Sequence, residues 1–239
     1  MSVTPESAGR RRPSGAVVLV TIVLFAIASA TVVLLSHRHG GSSASDGRAM
    51  PGTEIRKVAP FRGVELSGGN VVTIRVGRPQ AVVVRADRDL LGRVTTVVRS
   101  GTLVIGNKPG SMSGQTPMDI QISTPSVSAL LLSGSGTISA RGIHAARLNV
   151  VVSGSGVVEA EGRVARLGVS LSGSGDAALG ELVSRDAIAT LGGSGTIVLT
   201  ATKSLKAWVT GSGSILYAGN PAAVAASVPG SGVVLPIAE

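Results

Sequence analysis

Glu159 and Glu161 stand two residues apart in the run Val157-Val158-Glu159-Ala160-Glu161, and Asp176 and Glu181 follow in the next sequence period. Two carboxylates at that spacing on a strand can reach one another for acid–base work on a glycosidic bond, or can hold a calcium ion. Acids on an outward strand face also simply keep a surface soluble, and that reading is adopted here. His144 lies beside Arg141 with no partner acid or nucleophile, so it makes a poor catalyst. His37 and His39 flank Arg38 with no other ligand type nearby, which fits a polar membrane flank better than a metal site. Cysteine is absent, which excludes disulfides and thiolate metal sites. G-x-S-x-G, H-E-x-x-H and EF-hand patterns are missing too. No catalytic, cofactor-binding or metal-binding residues are expected, and no cofactor.

The elements that carry these residues are set by a repeat. Ser-Gly-Ser-Gly occurs at Ser133, Ser153 and Ser172, and decays to variants beginning at Gly192, Thr210 and Pro229. The steps are 20, 19, 20, 18 and 19 residues, the signature of a solenoid. One residue before each motif stand Leu132, Val152, Leu171, Leu191, Val209 and Val228. Three before stand Leu130, Val150, Val169, Ala189, Ala207 and Ala226. Five before stand Ser128, Leu148, Leu167, Ala187, Leu205 and Val224, of which Ser128 alone is polar. Beyond each motif, Ile138, Val158, Ala177, Ile197, Ile215 and Val234 form a column, and Ala140, Ala160, Leu179, Leu199 and Tyr217 the next. Apolar residues with period two are strand, not helix. Each repeat is therefore predicted to be strand, Gly-Ser-Gly corner, strand and second turn. Stacked in register, these coils give an all-β, parallel β-helix-like solenoid with about 19 residues per coil.

The corners are expected to need glycine for positive φ, with the serines free to hydrogen-bond the turn or the neighbouring coil. Glycine-rich loops also cradle phosphates. Here no predicted helix follows them and they hold no lysine, so neither nucleotide-binding pattern is met.

Residues 57–124 are strand-rich but lack the motif. Arg62–Leu66, Val71–Val76, Ala81–Ala86, Val94–Arg99, Thr102–Ile105 and Met118–Ser123 read as strands. Ser67–Asn70 reads as a turn, Asp87–Gly92 as a loop or single helical turn, Ser100-Gly101 as a hairpin turn and Asn107–Pro117 as a loop. This half is expected to supply irregular first coils and to cap one end of the solenoid.

Ahead of it, Gly15–Leu35 is 21 residues without a charge, about 30 Å of helix and one hydrocarbon core. Arg10-Arg11-Arg12 precedes it and only Arg38 follows closely, so the N-terminus is expected in the cytoplasm and the rest outside. A cleaved signal peptide is the competing reading, with Ala28-Ser29-Ala30 as its site. Because Val32–Leu35 carry the apolar run past that site, an uncleaved anchor is preferred. The expected organisation is a cytoplasmic tail (1–14), a transmembrane anchor (15–35), a flexible linker (36–53) and a β-solenoid domain (54–239). The domain divides into irregular coils and cap (54–125) and regular repeats (126–239).

The net charge is +9, of which the first 53 residues hold +3. The remaining basic residues look scattered over outward positions and turns, so a solvated face is expected rather than a nucleic-acid stripe. Aromatics are only 2 %, too few for a base-stacking groove.

Three stretches carry a family resemblance. These are Lys57–Leu66, with Phe61-Arg62-Gly63-Val64 at its centre; Val82–Gly92, with Arg85-Ala86-Asp87 and Asp89-Leu90-Leu91; and the ending Tyr217–Pro221 followed by Gly230-Ser231-Gly232. With the repeated Ser-Gly-Ser-Gly they resemble the putative auto-transporter adhesin head GIN domain family over residues 57–235. The resemblance implies a bacterial, surface-exposed, right-handed parallel β-solenoid and no catalytic residues. The chain departs from the family hallmark where Gly192, Thr210 and Pro229 replace the first serine.

Two residues are singled out as a candidate contact surface. By the register above, Trp208 points outward between inward Ala207 and Val209. Val234 lies on the last strand, whose free edge is a template for another chain, blunted only by Pro236. The expected function is a membrane-anchored extracytoplasmic binding or structural module, adhesin-like and not an enzyme. Its partners would be the membrane, a cell-envelope glycan or protein, and a second copy in a weak oligomer helped by Leu131 and Val151. No nucleic acid is expected. A glycan-processing enzyme of β-helix type and an envelope sensor are the alternatives.

Overall fold

Alternating apolar residues become strand throughout the described chain. The computed structural model describes residues 50–110 and 118–237, which lie within one unit, Gly47–Glu239. In order come β1 (Pro51–Arg56), β2 (Gly63–Ser67), β3 (Val71–Val76), β4 (Ala81–Asp87), α1 (Arg88–Leu91), β5 (Val94–Arg99), β6 (Thr102–Asn107) and β7 (Asp119–Thr124). Then follow β8 (Ala129–Gly134), β9 (Thr137–Gly154), β10 (Val157–Gly173), β11 (Asp176–Leu191), β12 (Thr196–Val209), β13 (Ser214–Ala218), β14 (Ala223–Ser227) and β15 (Val233–Pro236). The solenoid is as expected, with β8 to β15 pairing in parallel, coil on coil.

The predicted columns are the core. Ile138, Val158, Ala177, Ile197 and Ile215 are fully buried and adjacent in the ladder. So are Leu132, Val152, Leu171, Leu191 and Val209. Each of β9 to β12 runs from one corner to the next, and its middle holds an inward stretch that the two-strand reading lacks. Ile143, Val164, Leu182, Ser184 and Ala201 are buried there. Register shifts between neighbouring coils at this point keep these residues from forming a column of fixed spacing. The buried Ser184 hydroxyl donates to the Thr200 carbonyl at 2.7 Å, which meets its hydrogen-bonding need.

The corners correct the expected role of glycine. Gly134, Gly154 and Gly173 do take positive φ, at 135°, 144° and 143°. The equivalent Gly193, Gly211 and Gly230 do not. What all six share is contact with the coil below. A Cβ on Gly134 would lie 2.7 Å from the Gly68 carbonyl oxygen, and one on Gly193, Gly211 or Gly230 would also strike backbone. The last glycine of the motif makes room for a core side chain in every coil but that of Gly175, where the neighbouring atoms are backbone. A Cβ at Gly156 would sit 2.7 Å from Leu132 Cδ2, and one at Gly213 2.8 Å from Leu191 Cδ2. The serine hydroxyls of the first three motifs make no hydrogen bond among the described residues, so backbone contacts alone tie these corners together.

The N-terminal half is stacked out of chain order. β2 lies between β6 and β8, and β3 between β7 and β9, all parallel. The coil made of β6 and β7 therefore sits outside the earlier one made of β2 and β3. Antiparallel β5 on β6, β4 on β7 and β1 on β4 then close that end. Val82, Val84 and Val94 fill the core there. The hairpin turn has Ser100 and Gly101 at φ 48° and 74°, the two positive values of a type I′ turn. β1 begins at Pro51, inside the stretch expected as linker. Its outward proline costs no ladder bond at a strand start, and its backbone pairs with 82–87. The expected tail and anchor, with Arg10 to Arg12, and His37 and His39 lie outside the described residues. Among the described residues no helix is long and apolar enough to cross a membrane.

Replacing Gly154 tests the corner. Gly154→Ala combines a forced φ with a collision against Gly134 backbone, and is expected to cost about 3 kcal/mol or more. Gly77→Ala shares a positive φ of 85° but has open space around it, and should cost about 1 kcal/mol. Urea melts of the two variants decide it; equal losses would mean that coil contact is not what requires glycine at the corner.

Candidate functional site

The acids that first suggest chemistry are occupied structurally or stand apart. Glu161 lies at the bend before Gly162, and its carboxylate reaches Arg141 at 3.8 Å. Glu159 faces outward between buried Val158 and Ala160. Asp176 accepts the Thr196 backbone N–H of the next coil at 3.1 Å, so it serves the stack. Glu181 is exposed at a bend. The exposed His144 ring has Nδ1 3.3 Å from the Gly142 carbonyl, an internal turn contact. Among the described residues no cluster of three or more His, Asp or Glu could hold a metal ion.

The basic residues are brought together instead, which corrects their expected scatter. At the bend between the second turn and the next inward strand, Arg147 pairs with Arg166 on the ladder, Arg166 with Asp186, and Asp186 with Ser204. One outward position further on, Asn149, Gly168, Ile188 and Lys206 form a second row. Between the rows runs a groove of about 470 Å³ over buried Leu167 and Ala187. It is a groove because Gly168 has no side chain. Arg147, Arg166 and Lys206 make no ion pair with the described residues. Asp186, the acid in the groove, is committed locally. Ser204 Oγ donates to Oδ1 at 2.7 Å and Arg185 Nε to Oδ2 at 3.1 Å. The Ser204 hydrogen bond and then Arg185 hold its carboxyl below the ordinary range, so it is ionised at neutral pH. Around the bend, Arg163, Arg185 and His144 line a neighbouring hollow of about 470 Å³. A sequence signal for the adjacent pair existed, since Arg147 and Arg166 lie one coil length of 19 residues apart; the same step leads on to Arg185, but the register sets Asp186 opposite Arg166 instead.

Trp208 is 41 % exposed between fully buried Ala207 and Val209, as the register predicts. It stands two residues beyond Lys206 on the same strand and face, and pairs laterally with Thr190 and Ser227. Exposed Ile188 lies beside Lys206, so an apolar pair borders the cations. The structure does not bring Val234 to this surface. Val234 is half-buried against the core on β15, while Val233 and Leu235 on either side are exposed. β14 and β15 each have one ladder partner among the described residues, β12 and β13 respectively. The inward Val224 and Val228 of this end coil are consequently 43 % and 40 % exposed.

Trp208 is the sole tryptophan, so fluorescence reports it alone. Iodide should quench it more efficiently than neutral acrylamide at low salt, because Lys206 and the groove cations concentrate the anion. Lys206→Glu should remove about half or more of that excess, and raised ionic strength the rest. Iodide quenching insensitive to both would show that Trp208 does not sense these cations.

Comparison with known proteins places this geometry. A crystal structure of a putative adhesin from Bacteroides fragilis is similar, with TM-score 0.66 and 22 % identity over 79 % of this chain and 97 % of that one. A putative lipid binding protein from Parabacteroides distasonis is similar at TM-score 0.53 and 22 % identity, over 80 % and 98 % of the two chains. At such identities the likeness shows the fold. No functionally curated protein matches the chain. The family model for the putative auto-transporter adhesin, head GIN domain, matches residues 60–221, more than half of the sequence, and the chain belongs to that family.

Proposed function

We propose that the protein is an adhesin-like binding module of the cell exterior, acting by contact rather than catalysis. The observation that carries this reading is the unpaired cation row with exposed Ile188 and Trp208, fixed on one outer strand face. A rigid stack holds these side chains at set spacings, which suits recognition of an extended partner. The carboxylates that a glycan-cleaving enzyme would need are otherwise engaged or apart, and the groove is cationic. The names of the two similar structures, a putative adhesin and a putative lipid binding protein, support binding as the activity class. Attachment through the uncharged run 15–35 with the domain outside is part of the proposal.

The test is an array of envelope glycans, lipids and proteins probed with the full chain in non-ionic detergent. Retention of at least one ligand, lost on Trp208→Ala or Lys206→Glu, is expected. An array without a single retained ligand, or turnover of a glycan, would overturn the reading. In intact spheroplasts, added protease should degrade the domain and leave a short membrane fragment; a protected domain would reject the topology.

The end coil adds a second expected property, weak self-association through β14 and β15. Exposed Val224, Val228, Val233 and Leu235 flank ladder edges that have no further partner among the described residues, and a second copy would cover both. Sedimentation at high micromolar concentration should show a dimer fraction that Leu235→Lys abolishes. A strictly monomeric chain would remove this part of the proposal.

A further inference from the structure

The cation row specifies a class of partner, an assignment that rests on the binding-module reading above. We infer that the groove along Arg147, Arg166 and Lys206 takes a linear acidic polysaccharide, its carboxylates on the cations and its sugar rings against Ile188 and Trp208.

Charge comes first. Arg147 and Arg166 are ladder neighbours, about 4.8 Å apart at their backbones, with no carboxylate partner among the described residues. Their guanidinium groups present forked donors that match a carboxylate. Asp186 would repel an anion, but its two oxygens already face Arg185 and Ser204. Arg163, Arg185 and Lys203 extend the positive field around the bend, against exposed Glu161 and Glu181. Glu161 lies 3.8 Å from Arg141.

Shape selects a chain over a surface. The space above Gly168 is concave, and it crosses the strands, so it runs along the stacking direction. Arg147 and Arg166 stand one coil apart and Lys206 lies two coils beyond Arg166 in the second row, so the cations are spread along the groove as a polymer carrying several anionic groups requires. A lipid bilayer would meet the flat outer strands rather than enter this groove.

The apolar border selects sugar over bare phosphate. Ile188 is 52 % exposed and Trp208 41 %, both beside Lys206. The C–H face of a pyranose ring packs on such side chains, whereas a polyphosphate offers nothing to them. A nucleic acid would want several stacking rings, and Trp208 is alone there.

The experiment uses the full chain in non-ionic detergent and short oligomers of polygalacturonate, read by Trp208 fluorescence and calorimetry. Dextran, inorganic polyphosphate and phosphatidylglycerol vesicles are the comparison arms. The uronate oligomer is expected to bind, more weakly as salt rises. Arg147→Gln with Arg166→Gln should weaken it about a hundredfold, roughly tenfold per lost charged hydrogen bond. Ile188→Glu should also weaken it strongly, while Arg99→Gln, an exposed cation on the far cap, should not. Should the double variant fail to fold, Ile188→Glu at its exposed position decides. No binding by the wild-type chain, equal binding by the groove variants, or tighter binding to polyphosphate or vesicles would overturn the inference. If the uronate fails while the array retains another ligand, this assignment falls and the binding-module reading stands.

Discussion

Every coil hangs on a single kind of hydrogen bond at the corner. At Gly134, Gly154, Gly173 and Gly193, the second position of their motifs, the glycine carbonyl accepts two N–H groups from the corner stacked above. Gly134 accepts from Ser155 and Gly156 at 3.0 Å, Gly154 from Ser174 and Gly175 at 3.0 and 2.9 Å, and Gly193 from Ser212 and Gly213 at 3.1 Å. Both lone pairs of these oxygens are used, and two donors that a sharp turn would otherwise strand are satisfied. Such bonds form only if the backbones touch, which is why a Cβ has no place there. Glycine normally weakens a strand by its entropy. Here the loss is offset once per coil by closer stacking and by core methyls that occupy the vacated space.

That constraint governs the core as well. Corners stacked at a fixed distance fix the distance between coils, so each coil must enclose the same volume with different residues. Two inward columns flank the corner, one three residues before the motif and one four residues after it. Reading coil by coil they are Leu130 with Ala140, Val150 with Ala160, Val169 with Leu179, Ala189 with Leu199, and Ala207 with Tyr217. One side shrinks as the other grows. Close packing demands such exchange where neither backbone can move outward to admit a larger pair.

The regular half was legible because this constraint writes itself into the sequence. Glycine at a fixed interval gave the coil length, and period-two flanks gave the inward columns; both hold in the buried residues. Positive φ as the reason for all six corners was wrong for Gly193, Gly211 and Gly230, since conformational need and close approach leave the same letter. The stretch around Ile143 and Leu182 was not legible, because register shifts erase its period. Nor was the order of the cap. Pairing β6 beside β2 depends on where the chain doubles back, and no local pattern encodes that. Pro51–Thr53, the start of β1, was read as linker because its Pro and Gly mimic a loop. Only its pairing with β4 makes it strand.

The cation row escaped for a different reason. Composition reports net charge, and single positions report exposure, but a ladder joins residues one coil apart. Arg147 and Arg166 are 19 residues apart in sequence and neighbours in space. Like charges directly opposite on a ladder each cost a few tenths to about 1 kcal/mol. Elsewhere the chain relieves such pressure, as with Arg141 against Glu161 and Arg185 against Asp186. At Arg147 and Arg166 no ion pair forms among the described residues, although Asp186 is the ladder neighbour of Arg166 on its other side. The rigid corners make the repulsion affordable, because side chains at a bend cannot spread the backbone beneath them. A charge arrangement that the stack tolerates but does not need is the kind of local inconsistency expected where a surface has a partner.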